Sequence, residues 1–303
     1  MSNSSIIGIL CEEDPKKWEQ FLDHLSFSDY EIFTNIKSYQ KGWKENLFSA
    51  ALVLGSEMDS FRIGRFQLRS DFLLADPNQD GWPEVTIARI PDPKFRFRDS
   101  SFKLNKHLAF YTSRQPNSEW VDPFLSKGYQ LEVVMKREAE ILTKAGVVIH
   151  FNGHGDYQTW RTNTETGSRV LLHSGDIPPL ENSPFVFSGV CLTASPRSVM
   201  LRQFLQAGVS AYLGMTAPLF GFKGDPGLEM DLMIFNAFRS ARTTGDILSI
   251  PQQLFIEKFD LQDILSQCYS TSVFQPRNAL EMKTLITILE FVLYGSPFVR
   301  LGA

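Results

Sequence analysis

The stretch AGVVIHFNGHGD, residues 145–156, limits the fold more than any other part of the chain. Its apolar run, Val147 to Ile149, has no polar alternation. A strand of that kind is covered on both faces, which happens where helices pack on both sides of a parallel sheet. SPFVFSGVC, residues 183–191, reads as another such strand, and VSAYLGM, residues 209–215, as the next.

The rest of the chain alternates in the same way. Further strands are expected in SSIIGILC, YEIFTNI, SAALVLGS, FQLRSDFLLAD, VTIARIP and KHLAFYTSR. DPKKWEQFLDHL reads as a helix with Asp14 as N-cap and Pro15 at its first position. Helices are also expected over residues 128–146, closed by Gly146, over 198–208, closed by Gly208, and over 228–242 and 279–295. Strands alternating with helices give an α/β fold with a mostly parallel sheet sandwiched by helices. Prolines and charge interrupt the pattern near residues 91–104. That predicts a smaller N-terminal α/β lobe, residues 1–91, and a main lobe, residues 92–303.

Composition removes several classes of function. The 303 residues are 43% apolar and 21% charged, with a net charge of −4. No overall basic field exists to attract nucleic acid or anionic lipid. The first residues read as a strand and not as a leader, and no segment approaches the roughly 20 apolar residues of a membrane helix. The three cysteines, Cys11, Cys191 and Cys268, are sparse and odd in number, which fits a reducing, cytoplasmic compartment. Neither a G-x-S-x-G turn nor a Walker loop is present.

Chemistry in open α/β sheets gathers at the carboxyl ends of strands. Two ends carry it here: His154 between two glycines after one strand, and Cys191 at the end of another. If the strands are parallel neighbours, the imidazole faces the thiol and can accept its proton. Gly153 then lets the chain turn, and the amides of Gly155 and Cys191 form an oxyanion hole. Taken singly, a cysteine ending an apolar strand is commonly a small buried hydrophobe, and a histidine between glycines a turn residue. The joint occurrence is the informative signal. His150, alternating within its strand, reads as a buried, hydrogen-bonded ring.

DPNQDG places Asp76, Asn78, Asp80 and Gly81 as in the start of a calcium-binding loop. Ile87 stands where the twelfth-position glutamate belongs, and a tight Asx turn accounts for these residues without metal. No Cys/His zinc set exists, so no cofactor is expected.

Five blocks in order resemble the gingipain family of cysteine peptidases, within the caspase-like clan. IHFNGHGD resembles its histidine block and LLHSGDIPPLENSPFVFSGVCLT its cysteine block. AGVSAYLGMTAP resembles the strand bordering the substrate cleft, DPNQDGWPEVTIARIP the upstream Asp-rich turn and strand, and LYGSPFVRLGA the closing segment. The resemblance spans roughly residues 71–303. It implies a caspase-haemoglobinase-like fold and hydrolysis of peptide bonds through an acyl-enzyme. His154 is the implied general base and acid, and Cys191 the nucleophile. The implied partners are a protein or peptide substrate and an activator or dedicated partner protein. The family's acid behind the histidine falls near Arg114 in this chain, with Glu119 the nearest acid. Three readings of the primary pocket stay open: Asp122 favouring a basic residue, Arg114 an acidic one, or GMTAPLFGF, with Met215, Thr216 and Ala217, a bulky apolar one. Family grounds favour the basic residue. A catalytically silent binding or signalling module is the alternative from a different class.

Overall fold

The computed structural model describes residues 6–25, 29–46, 48–55, 58–99, 101–164, 167–218, 224–267, 269 and 273–301. In chain order the strands are β1 (Ile7–Cys11), β2 (Tyr30–Phe33), β3 (Ala50–Leu54), β4 (Asp59–Ile63), β5 (Phe66–Ser70), β6 (Thr86–Ile90), β7 (His107–Tyr111), β8 (Gln130–Val134) and β9 (Val147–His150). They continue with β10 (His154–Gly155), β11 (Thr159–Thr164), β12 (Gly167–His173), β13 (Phe185–Ser188), β14 (Ala211–Met215), β15 (Val273–Phe274) and β16 (Phe291–Gly295). The helices are α1 (Glu19–Asp23), α2 (Ile36–Asn46), α3 (Phe72–Ala75), α4 (Ser118–Leu125), α5 (Val199–Ala207), α6 (Pro226–Ala237), α7 (Asp246–Phe259), α8 (Gln262–Gln267) and α9 (Ala279–Glu290).

One 10-stranded sheet, in the order β2-β1-β3-β6-β16-β14-β13-β9-β7-β8, forms the centre. The α/β class and the mostly parallel sheet flanked by helices are as the apolar strands imply. In β9, β13 and β14 the side chains alternate between two cores. Val147, Ile149, Phe185 and Phe187 join one, under α4, α6, α7 and α9. Val148, Val186 and Tyr212 join the other, under α5. Covering both faces is what permits such uniform apolar runs, and each fully buried Phe contributes roughly 2–3 kcal/mol. Local signals set the helix ends. Ser198 accepts from the Leu201 amide and Gly208, at φ 103, closes α5. Asn278 caps α9 through the Glu281 amide.

β16 is antiparallel to β14. It meets β6 at one residue pair, Tyr294 with Arg89, bridged in a parallel pattern. The strand ends nevertheless show which way β6 runs. A side chain at Gly245 would start 2.6 Å from Thr86 and 2.9 Å from Pro297, so the start of β6 lies beside the exit of β16. β6, and with it β1 to β3, therefore has its carboxyl end at the same edge as β14, β13, β9 and β7. Residues 1–91 and 92–303 both contribute strands to this sheet, and they meet where β6 of the first lies beside β16 of the second.

Three expectations need correction. Residues 128–146 are not a helix. Gln130–Val134 is the edge strand β8, parallel to β7, followed by a single 3-10 turn at Glu140–Thr143. Leu131 and Val133 alternate with Gln130 and Glu132, and edge pairing outweighs the helix-forming residues further on. Gly146 is no helix cap: its amide donates to the His107 carbonyl, and a Cβ there would lie 2.0 Å from the Asn105 oxygen. The apolar run 279–295 divides after Glu290, because Phe291 turns extended (φ −79, ψ 127) and the chain enters the slot beside β14 as β16. FQLRSDFLLAD divides likewise, into β5 and the short helix α3. α7 carries no expectation from the sequence. No helix of the described residues is long and apolar enough to cross a membrane.

Candidate active site

β9 and β13 are parallel neighbours, with His150 opposite Ser188. The two chains that leave them are therefore held side by side from their first residue: the Gly189 amide donates to the His150 carbonyl at 2.9 Å. One chain reaches His154 four residues later, and the other reaches Cys191 three residues after its strand.

His154 and Gly155 form β10, which pairs with β11, so the histidine sits on a hairpin and not in an open turn. The left-handed residue is Asn152 (φ 57), whose amide donates to Ser113, and not Gly153. Gly153 is needed for close approach: a Cβ there would lie 2.3 Å from the Arg161 carbonyl and 2.8 Å from the His150 ring. Gly155 is packed against the other arm. Its Cβ would meet the Cys191 carbonyl, Thr193 and Val190, each at 2.7 Å. His154 is exposed beside this contact, and no carboxylate among the described residues hydrogen-bonds its ring.

Cys191 is half-buried, in contrast to Cys11, which is buried and donates its thiol to the Glu13 carbonyl. Burial pushes the Cys11 thiol up, and Glu13, Asp14 and Glu12 add to the effect. Cys268 lies outside the described residues. Leu192, directly after Cys191, has φ 62, an uncommon conformation for a branched residue and one that stores strain. Its amide donates to Ala217, and that of Ala194 to Met215, so the cysteine loop is laced to the end of β14.

Two carboxyls lie beneath this loop that sequence reading did not single out. Asp231 on α6 and Glu290 at the end of α9 are fully buried, and none of their four oxygens has a hydrogen-bond partner among the described residues. Gly189 sits over Asp231, whose Oδ1 would be 3.3 Å from a Cβ there. Burial pushes both acids well above the carboxylate range; for Glu290 the charges of Cys191 and Asp231 push the same way. Carboxyls buried without hydrogen-bond partners among the described residues are costly, and burial keeps them in the neutral form. A signal existed: each is the only acid within its apolar stretch, DLMIF and TILEFVLYG.

His150 is buried, as expected, but stacking holds it. The ring lies on Trp160 (centroids 4.8 Å, 22°), with the Arg161 carbonyl nearby and good hydrogen-bond geometry at neither nitrogen.

The expected substrate-binding residues separate. Thr216 and Ala217 line a cleft of about 430 Å³ that also touches Leu192, and the Thr216 hydroxyl donates to the Arg69 carbonyl. Met215 is buried in the core. Arg114 lies over the Trp120 ring at 5.6 Å, and Asp122 is exposed on α4. Residues 219–222 of the GMTAPLFGF stretch fall outside the described residues.

At the calcium-like turn, Asp76 is buried and accepts from the Gln79, Asp80 and Gly81 amides and the Tyr269 hydroxyl, as an Asx turn does. Asn78 donates to Glu84. Oxygens of Asp76, Asp80 and Glu84 lie within 4.8 Å of one another, and burial, then the charge of Asp76, raises Glu84 to about 7. Glu84 thus takes the place expected for Asn78 in any cation site at this turn.

Comparison with protein-family models and with curated protein sequences gave no match.

Proposed function

We propose that the protein is a cysteine endopeptidase of the caspase-like type, cutting after a basic residue. The observation that carries this reading is the packing of Gly155 on the Cys191 carbonyl, with β9 and β13 adjacent and parallel. It brings an exposed imidazole and an accessible thiol to one edge of a rigid sheet.

In this reading His154 takes the Cys191 proton as sulfur adds to the scissile carbonyl carbon. The amides of Gly155 and Cys191 receive the developing oxyanion. The tetrahedral species collapses to a thioester, the amide C–N bond breaks, and His154 gives its proton to the departing amine. Water, deprotonated by the same imidazole, then adds to the thioester; the C–S bond breaks, the acid leaves, and the imidazolium returns its proton to the Cys191 sulfur. Asp231 and Glu290 supply the specificity. A lysine or arginine side chain entering beneath the cysteine loop makes a carboxyl with no hydrogen-bond partner among the described residues release its proton to solvent, and the ion pair forms in a dry site.

The test is digestion of a diverse peptide library by native protein and Cys191→Ala, read by mass spectrometry. Cuts after lysine or arginine, lost in the variant, are the expected result. Cuts after other residues would remove the role given to Asp231 and Glu290.

The second reading, a silent binding module, draws on one observation: no carboxylate among the described residues hydrogen-bonds the His154 ring, and the expected position, Arg114, is engaged with Trp120. A dyad predicts that Cys191 reacts with iodoacetamide faster in native protein than in His154→Ala at pH 7. Equal rates favour the module.

A further inference from the structure

The cleft of about 430 Å³ beside the thiol is lined from both arms of the site. Tyr157 belongs to the turn that follows His154, and Leu192 directly follows Cys191. The wall is thus one residue, about 3.8 Å between Cα atoms, from the nucleophile.

Two arginines reach the same space, Arg69 from the end of β5 and Arg197 from just before α5. Both are exposed. Arg69 donates to the Met58 carbonyl at 2.8 Å, which leaves most of its guanidinium donors available. The Arg197 side chain makes no ion pair or hydrogen bond with the described residues. No carboxylate lines the cleft among the described residues. The amino end of α5 begins two residues after Arg197 and adds positive potential. A chain of net charge −4 therefore carries a locally positive cleft against its proposed nucleophile.

We propose that this cleft takes an acidic side chain of the peptide substrate, within two residues of the bond cut at Cys191, with Arg69 and Arg197 as specificity-determining residues. The proposal rests on the peptidase reading above. An extended peptide rises about 3.3 Å per residue, so a neighbour of the scissile residue reaches the cleft while its own side chain points away from the neighbour before it. Together with Asp231 and Glu290, the site then reads a basic residue and a nearby acidic one. Substrates with a basic residue in the second position are repelled, which narrows the range of targets.

The experiment uses the full chain carrying Cys191→Ala, so that binding is measured without turnover. Labelled peptides of one length carry a central arginine, flanked on both sides by glutamate, glutamine or lysine. Binding is followed by fluorescence anisotropy. The glutamate peptide is expected to bind about five- to tenfold more tightly than the glutamine peptide, and that ratio shrinks in about 0.5 M salt. Arg69→Glu with Arg197→Glu reverses the order, so that the lysine peptide binds best. Arg197→Glu alone, at an exposed side chain with no hydrogen bond or ion pair among the described residues, lowers the ratio at least about twofold. An unchanged ratio in both variants overturns the proposal, as does failure of all three peptides to bind. Turnover is read separately with native Cys191. Charge-dependent binding without cleavage would end the peptidase reading and leave the cleft assignment standing.

Discussion

Gly155 rests on the carbonyl oxygen of Cys191: a Cβ at residue 155 would lie 2.7 Å from it, and as close to Thr193 and Val190. The histidine arm and the cysteine arm are therefore fitted to each other through backbone. Gly155→Ala inserts a methyl group where none fits, and such overpacking typically costs 1–3 kcal/mol. If the arms form one catalytic unit, the displacement also moves His154 relative to Cys191. Peptide cleavage should fall at least about tenfold in kcat/KM, beyond what a modest drop in Tm explains. Gly175→Ala, where the nearest atom is 3.3 Å away in the His173 ring, serves as control. Full activity in Gly155→Ala would uncouple the arms.

Asp231 and Glu290 make stability depend on pH in a defined direction. Burial holds both carboxyls protonated well above the range of an exposed acid. In the unfolded chain they ionise near pH 4. Above that pH the folded state binds more protons than the unfolded one, so stability falls as pH rises. Glu290→Gln removes one such group while keeping the shape. Its Tm should exceed that of native protein at pH 8, and the gap should close toward pH 4. A Tm that is lower at every pH would mean that Glu290 makes a stabilising contact.

Arg89 has the opposite character. Its guanidinium is fully buried and paired on both sides, with Asp71 at 2.6 Å and Glu12 at 2.7 Å, and it donates to the Gly55 carbonyl. Three chain segments, after β1, after β3 and after β5, are thereby joined beside β6. Removing one partner of a buried network leaves charge uncompensated and typically costs 3–5 kcal/mol. Arg89→Met should lower stability by that order, measured as a shift in the urea midpoint. Arg89→Met with Asp71→Asn should recover part of the loss. A single variant as stable as native protein would mean that the network adjusts without it.

The legibility of the sequence depended on what each signal measures. Uniform apolar runs reported burial on both faces, so β9, β13 and β14 and their parallel order followed from Val147–Ile149, Phe185–Phe187 and Ala211–Leu213. The same signal does not distinguish a buried strand from a buried helix, which is why 279–295 read as one element and β16 was hidden within it. β8 was concealed because its strand character comes from pairing with β7, a long-range contact. The paired arms at His154 and Cys191 could be read because each ends a strong strand. Asp231 and Glu290 could not be placed, since they meet the cysteine loop only once α6 and α9 pack on the same face. Gly153 and Gly155 announced themselves, but for crowding by Arg161 and Cys191 and not for backbone freedom.

His150 supplies an acid-sensitive element behind the site. Its ring is fully buried on Trp160, and burial chiefly, with the charge of His154 adding, brings its pKa down to about 3. The unfolded chain protonates this residue near pH 6.5. Below that pH the unfolded state binds the proton and the folded state does not. Stability therefore falls by about 1.4 kcal/mol per pH unit from pH 6.5 until the folded value near 3 is reached. His150→Phe keeps an aromatic ring on Trp160 and removes the titration. Between pH 7 and pH 4 the variant should lose about 3 kcal/mol less stability than native protein, read from urea unfolding at each pH. Asp156 and Asp176, whose carboxyls are held low by hydrogen bonds and, for Asp176, foremost by Arg137, also weaken the fold in acid, but they do so equally in both proteins. Parallel loss in native protein and variant would show that the His150 ring accepts a proton without unfolding, through an opening of the β10–β11 hairpin that covers it.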